Sequence, residues 1–202
     1  MKDETASTTE QARPDTEAHH ELLRKLFREL TQTERSASRH GRREAGRYGS
    51  EPPAQALHAV AEHADRAQRE IADLARRCDL GGNSVGALVG ESLSLMRDLI
   101  VDQLVDAERS YRGTLLGIRH GTDLVDLIRR VADASGQVEI GGFCTRWLEE
   151  RQPLVDQVAH ELAWFARHPR RSARIHRPRV LTRLAGGGRQ RPSEASPGHG
   201  AG

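Results

Sequence analysis

One stretch decides the fold: residues 50–82, which read SEPPAQALHAVAEHADRAQREIADLARRCDLGG. At 100° per residue, its apolar side chains fall on one stripe of an α-helix. The members of that stripe are Leu57, Val60, Ala61, Ala64, Ala67, Ile71, Leu74 and Cys78. Ser50 followed by Pro52 and Pro53 is a typical helix start, and the two glycines after Leu80 are a typical helix end. The stretch therefore predicts a long amphipathic helix that ends near residue 78.

Similar stripes predict three more long helices and one short helix. The long ones span about 17–48, 83–118 and 143–168, and the last contains Pro153, which predicts a kink or a new start near Arg151. We expect His120-Gly121-Thr122 to end the third helix, and a short helix to follow as far as Ser135-Gly136. No alternating pattern typical of strands competes with these helices. The prediction is an all-α, antiparallel four-helix bundle over 17–168 with a short additional helix, flanked by disordered segments at 1–16 and 169–202.

Composition restricts the classes of function. Only seven of 202 residues are aromatic, which argues against a β-sandwich or an aromatic-lined nucleotide site. No secretory signal and no apolar run long enough to span a bilayer is visible, so we expect a cytoplasmic protein without membrane contact. Two cysteines, Cys78 and Cys144, are too few for a disulfide framework and predict reduced thiols packed in the interior.

Long helices in this order, with the break Gly81-Gly82-Asn83 between the middle two, resemble the ferritin-like superfamily. That resemblance implies a bundle whose inward Glu residues and Glu-x-x-His pairs bind two irons. We expect this chain to lack those pairs, and hence to bind no metal or other cofactor. If a metal site exists, its candidate ligands are Glu34, His40, Glu44, His58 and Glu62.

The helical wheel argues against ligands on the second helix. Glu62 points about 170°, His58 about 130° and His63 about 90° away from the centre of the apolar stripe, so we interpret all three as surface residues. An iron- or manganese-binding redox or iron-handling protein remains the alternative function, because imidazole and carboxylate ligands are present even if they do not converge.

A small set of polar residues falls on predicted interior positions. The set comprises Glu34, Glu44, Gln68, Gln103 and Arg151. Because a buried arginine needs a carboxylate partner, we expect Arg151 to pair with Glu34 or Glu44 in the middle of the bundle. The competing interpretation places Arg151 at a helix edge with its stem along Trp147.

The net charge of +2 divides unevenly along the chain. Residues 1–166 carry −6, and residues 167–202 carry +8 from nine arginines and one acid. The candidate binding residues of this tail are Arg170, Arg171, Arg174, Arg177, Arg179 and Arg183. Such a tail could bind nucleic acid or an acidic protein through its charge, although it lacks aromatic residues for base stacking. This is the second alternative function.

No motif for a nucleotide loop or a catalytic nucleophile is recognisable, so we lean away from an enzyme. The leading prediction is a non-catalytic, ferritin-like helical bundle that acts by self-association as a homo-oligomer or by binding a partner.

Overall fold

The computed structural model describes residues 6–81 and 106–172, and side chains from Asp15 onward. Within these residues the chain forms six helices and no strand: α1 (Ala6–Ala45), α2 (Pro52–Arg77), α3 (Ala107–Ala134), α4 (Val138–His160), α5 (Leu162–Arg167) and α6 (Pro169–Ser172). The prediction of an all-α chain with four long helices is confirmed. Helix α1 begins 11 residues before the predicted start at residue 17, inside the segment predicted to be disordered.

Local chemistry explains how α2 begins and ends. Glu51, not Ser50, is the N-cap of α2, and Pro52 and Pro53 occupy its first turn, where a missing N–H costs nothing. At the other end, Asp79 adopts a left-handed conformation with φ 53°, and the N–H of Leu80 donates to the carbonyl of Ala75 at 2.8 Å. This bond satisfies one of the last carbonyls of the helix and turns buried Leu80 back onto it.

The predicted break at His120-Gly121-Thr122 is wrong. Helix α3 runs through Gly121 without interruption, and the predicted short helix is its second half. A glycine inside a helix costs only about 1 kcal/mol, which tertiary packing can outweigh. Gly121 is buried, and a Cβ there would lie 3.4 Å from Thr33 Cγ2 and 3.9 Å from a ring carbon of Trp147. The first part of the predicted third helix, 83–105, lies outside the described residues.

The last long helix begins at Val138, five residues before the predicted start. Gly136, with φ 69°, and the bond from Gln137 N–H to the Ala132 carbonyl at 2.8 Å turn the chain within two residues. Helix α4 then continues through Pro153, so no new helix starts near Arg151. The interruption comes instead at Glu161, where α4 ends and α5 begins.

Each long helix packs against two others: α1 and α4 both contact α2 and α3. Two apolar clusters fill the space between them. The first cluster comprises Leu23, Leu26, Phe27, Leu30, Ile71, Leu74, Ile128, Ile140, Phe143, Trp147 and their neighbours. The second comprises Tyr48, Leu57, Val60, Tyr111, Leu115, Ile118, Val155, Val158, Trp164, Phe165 and their neighbours. Across the described ranges, no helix has the length and apolarity needed to cross a membrane.

Candidate functional site

A buried ion pair lies between the two apolar clusters. The Nη2 of Arg151 on α4 donates to Oε2 of Glu34 on α1 at 2.5 Å, and both side chains are 1% exposed. Along α4, Trp147 belongs to the first cluster and Val155 to the second, so Arg151 lies where the two meet. The structure thus joins two of the predicted interior polar residues and does not place Arg151 at a helix edge.

Burial is the dominant influence on this pair. It raises the pKa of Glu34 above its ordinary value, and the charge and hydrogen bond of Arg151 offset the rise only in part. Burial likewise lowers the pKa of Arg151, and Glu34 offsets that change. The cost of removing both charges from water thus offsets much of their attraction, as is common for buried ion pairs. The pair joins α1 and α4, which both pack against α2 and α3, across the middle of the helices.

Trp147 and His63 border the ion pair. The guanidinium of Arg151 lies over the Trp147 ring at 4.7 Å from its centroid, and the His63 ring meets Trp147 edge-on at 5.5 Å. Nδ1 of His63, Nε1 of Trp147 and Nε of Arg151 are buried without a hydrogen-bond partner. We call Glu34, His63, Trp147 and Arg151 the central cluster.

The surface interpretation of His63 is wrong, since its side chain is 3% exposed. Burial is the main cause that lowers the pKa of His63 to about 3, and the charges of Arg151 and Arg66 add to it. Nε2 of His63 lies 3.6 Å from Oε2 of Glu150, a half-exposed carboxylate at the rim of the cluster. His63 is therefore a neutral interior ring.

Glu44 belongs to a second polar centre, at the end of the second apolar cluster. Its carboxylate lies 2.6 Å from the Tyr48 hydroxyl, accepts from Ser110 Oγ at 2.9 Å, and pairs with Arg47 Nη1 at 3.2 Å. The Tyr48 hydroxyl also lies 2.7 Å from the Ala107 carbonyl, so its one proton serves two acceptors. Glu44 thus ties the end of α1 to the start of α3 and does not contact Arg151 as a hydrogen-bonding partner.

We expect Tyr48→Phe to destabilise the fold by about 1.5–3 kcal/mol, because a buried carboxylate and a buried carbonyl lose their shared donor. Urea unfolding measures the change. Tyr111→Phe is the matched control: its hydroxyl donates to one neutral carbonyl, that of Val158 at 3.1 Å, so the loss should be only about 1 kcal/mol. Equal losses of stability in the two variants would show that the Tyr48 hydroxyl does not stabilise the Glu44 carboxylate.

The other candidate ligands do not converge on the central cluster. His58 and Glu62 are exposed on α2, while His40 is partly buried on α1, where desolvation lowers its pKa. Gln68 is partly buried and donates to the carbonyl of Ala64 in its own helix at 3.2 Å. Gln103 lies outside the described residues. In the part of the chain that the structure describes, no group of three or more His, Cys, Asp or Glu side chains is placed to hold a metal ion.

One Glu-x-x-His spacing does occur in the chain, at Glu17 and His20, and the expectation of none was wrong. It lies near the start of α1, with His20 Nε2 3.5 Å from the carbonyl of Cys78 at the end of α2. Glu17 is exposed, and the pair is 14 residues or more before Glu34 along α1. The spacing therefore contributes nothing to the central cluster.

The cysteines fit the prediction of packed thiols only in part. Cys144 is buried, and burial raises the pKa of its thiol to about 12. Cys78 is partly exposed, with Sγ 3.8 Å from Oε2 of Glu139, and burial is again the main cause that raises its pKa. A raised pKa leaves little thiolate at neutral pH, so neither residue is prepared as a nucleophile.

Two of the candidate tail arginines are described, and both lie in the short helix α6, inside the segment predicted to be disordered. Arg170 is exposed. Arg171 pairs with Glu51 at the start of α2, and its guanidinium lies 6.0 Å from the centroid of the Trp164 ring. Arg174, Arg177, Arg179 and Arg183 lie outside the described residues.

Comparisons with protein-family models, with curated proteins and with solved structures find no match for this chain.

Proposed function

We propose that the chain is a non-catalytic helical bundle of ferritin-like, antiparallel arrangement that acts by self-association or by binding a partner. The single observation that carries the proposal is the buried Glu34–Arg151 pair, at 2.5 Å, in the middle of the helices. Ferritin-like proteins converge carboxylates and imidazoles on metal ions in the bundle interior, whereas the interior of this chain holds a guanidinium. A fixed positive charge repels a divalent cation, and the carboxylate beside it is already engaged.

The ends of the helices support the antiparallel arrangement. His20 near the start of α1 approaches Cys78 after α2, and Arg77 at the end of α2 pairs with Glu139 at the start of α4 at 2.7 Å. At the opposite end, Tyr48 after α1 contacts Ala107 at the start of α3. These contacts support opposite directions for neighbouring helices, with α2 ending and α3 beginning at opposite ends of the group. Ferritin-like bundles have one such long connection.

Metal analysis tests the proposal. The purified chain is incubated with Fe(II) without oxygen, and separately with Mn(II), dialysed, and measured by mass spectrometry of the elements. We expect far less than one metal ion per chain in both cases, and the same for the Glu34→Gln variant. About two ions per chain that are lost in Glu34→Gln would overturn the proposal in favour of the iron or manganese alternative.

A further inference from the structure

The outer face of α3 carries a stripe of residues that is largely exposed in the part of the chain that the structure describes. Its residues recur at spacings of three and four, as in a helix that pairs with another helix. The stripe comprises Gly113, Leu116, His120, Asp123, Leu127 and Arg130. Leu116 is 62% exposed and Leu127 45% exposed, although both lie on a helix whose opposite face is fully buried. We call this set the α3 stripe.

Helix α1 adds a third exposed leucine beside the stripe. His120 Nε2 lies 3.3 Å from Oε1 of Glu29, which fixes the level at which α1 and α3 face each other. Leu22 precedes Glu29 by two helical turns, and Leu127 follows His120 by two turns. Because α1 and α3 run in opposite directions, Leu22 and Leu127 lie at the same height along the two neighbouring helices.

This clustering is uneven enough to be informative. Among the described residues, the large apolar side chains that are exposed are Leu22, Leu116, Leu127 and Val138. Three of the four thus lie on or beside the α3 stripe. Leu22 and Leu127 form the apolar end of this surface, and Leu116 lies about 16 Å further along α3. Exposed apolar side chains that share one face rimmed by charged ones favour an interaction surface, whereas a single one such as Val138 needs no explanation.

The sequence of the stripe is complementary to itself in the antiparallel direction. If a twofold axis passes between Gly121 and Thr122, Leu116 of one copy faces Leu127 of the other, and His120 faces Asp123. Leu22 of each copy then lies beside the partner's Leu116. Parallel pairing in register would instead oppose Asp123 to Asp123 and His120 to His120, which like charge disfavours.

We infer that the α3 stripe is a twofold homodimer interface, in which α3 of one chain pairs antiparallel with α3 of a second copy. The inference rests on the proposed function, because it names the partner in self-association. The leucine pairs at the two ends supply the apolar contact, and the two His120–Asp123 contacts near the axis set the register.

Light scattering after size-exclusion chromatography tests the interface on the full chain. We expect a mass approaching twice the 22.4 kDa of the chain at high protein concentration. Leu116→Glu should weaken the dimer at least about tenfold and leave the helical circular dichroism unchanged, because the residue is exposed. Val138→Glu, at the most exposed of the described large apolar residues, is the matched control and should remain dimeric.

Cysteine cross-linking tests the register. In a Cys78→Ser background, Leu116→Cys and Leu127→Cys chains mixed together should form a disulfide-linked dimer under mild oxidation. Either variant alone should not, because equivalent positions then lie roughly 16 Å apart, 11 residues at 1.5 Å each.

The outcomes separate this inference from the proposed function. A wild-type chain that stays monomeric at every concentration, or a dimer that persists in Leu116→Glu, overturns the α3 interface. Neither result changes the metal content, on which the proposed function is judged. Cross-linking of Leu116→Cys alone would also overturn the antiparallel register.

Discussion

Arg151→Met is expected to destabilise the protein by about 3–5 kcal/mol, the typical loss when one partner of a buried ion pair is removed. The cause is not the lost attraction alone. Glu34 would remain 1% exposed without a partner, and its ionised form would have to be neutralised or exposed to water. Urea unfolding at neutral pH measures the loss. Arg146→Met, at an exposed position of the same helix, should change the free energy of unfolding by less than about 0.5 kcal/mol.

The pH dependence of that variant distinguishes the unpaired charge from lost packing. Burial raises the pKa of Glu34 in the folded chain, and without Arg151 nothing in the pair lowers it again. A carboxyl whose folded pKa lies above its unfolded value stabilises the fold at low pH, and that stability is lost as the pH rises through the folded pKa. Arg151→Met should therefore be closer to wild type at pH 5 than at pH 8. An equal loss at both values would assign the effect to packing.

The double variant Glu34→Leu with Arg151→Met completes the test. With both charges replaced by apolar groups, the loss should fall well below that of Arg151→Met, since such replacements are often neutral or stabilising. A double variant as unstable as Arg151→Met would show that the pair itself, and not the orphaned carboxylate, carries the energy. In both cases, the free energies of unfolding of the wild type, the two single variants and the double variant together give the coupling energy between the two positions.

The sequence predicted helices well because they leave a periodic signal. The apolar stripe predicted on α2 matches the buried residues of that helix, except that Cys78 at its end is only partly buried. The predictions that were wrong concern positions where tertiary contacts outweigh the helix propensity of the residue. Gly121 has the propensity of a helix breaker, yet its missing side chain makes room for Thr33 and Trp147 and lets α3 continue.

The central cluster was predictable only in part. Glu34 and Arg151 could be inferred because each falls on an apolar stripe, and a buried charge needs an opposite one. His63 could not, because it lies about 90° from the centre of its stripe, and the wheel does not reveal that the bulky Trp147 on α4 extends the covered surface of α2 to that angle. The pairing of Glu44 with Ser110 and Tyr48 depends on how α1 meets α3, which no local pattern reports.

Acidification is expected to destabilise the fold through the buried His63. Its pKa of about 3 in the folded chain lies below the ordinary 6.5 of an unfolded histidine. Below pH 6.5 the unfolded chain therefore binds a proton that the folded chain does not bind. The free energy of unfolding then falls by about 1.4 kcal/mol for each pH unit. The contribution is present at neutral pH, shrinks by about 2 kcal/mol at pH 5, and continues to shrink until the pH falls through the folded pKa.

His63→Phe isolates this effect, because phenylalanine keeps a ring against Trp147 and cannot take up a proton. Unfolding by urea at pH 7 and pH 5 should show that wild type loses about 2 kcal/mol more than the variant over this interval. His58→Phe, at an exposed histidine on the same helix, should lose as much as wild type. If His63→Phe and wild type respond to acid equally, then Glu150, whose carboxylate lies 3.6 Å from Nε2, compensates for burial when the ring is protonated. In that case the central cluster holds His63 as a charged partner of Glu150 and not as a neutral interior ring.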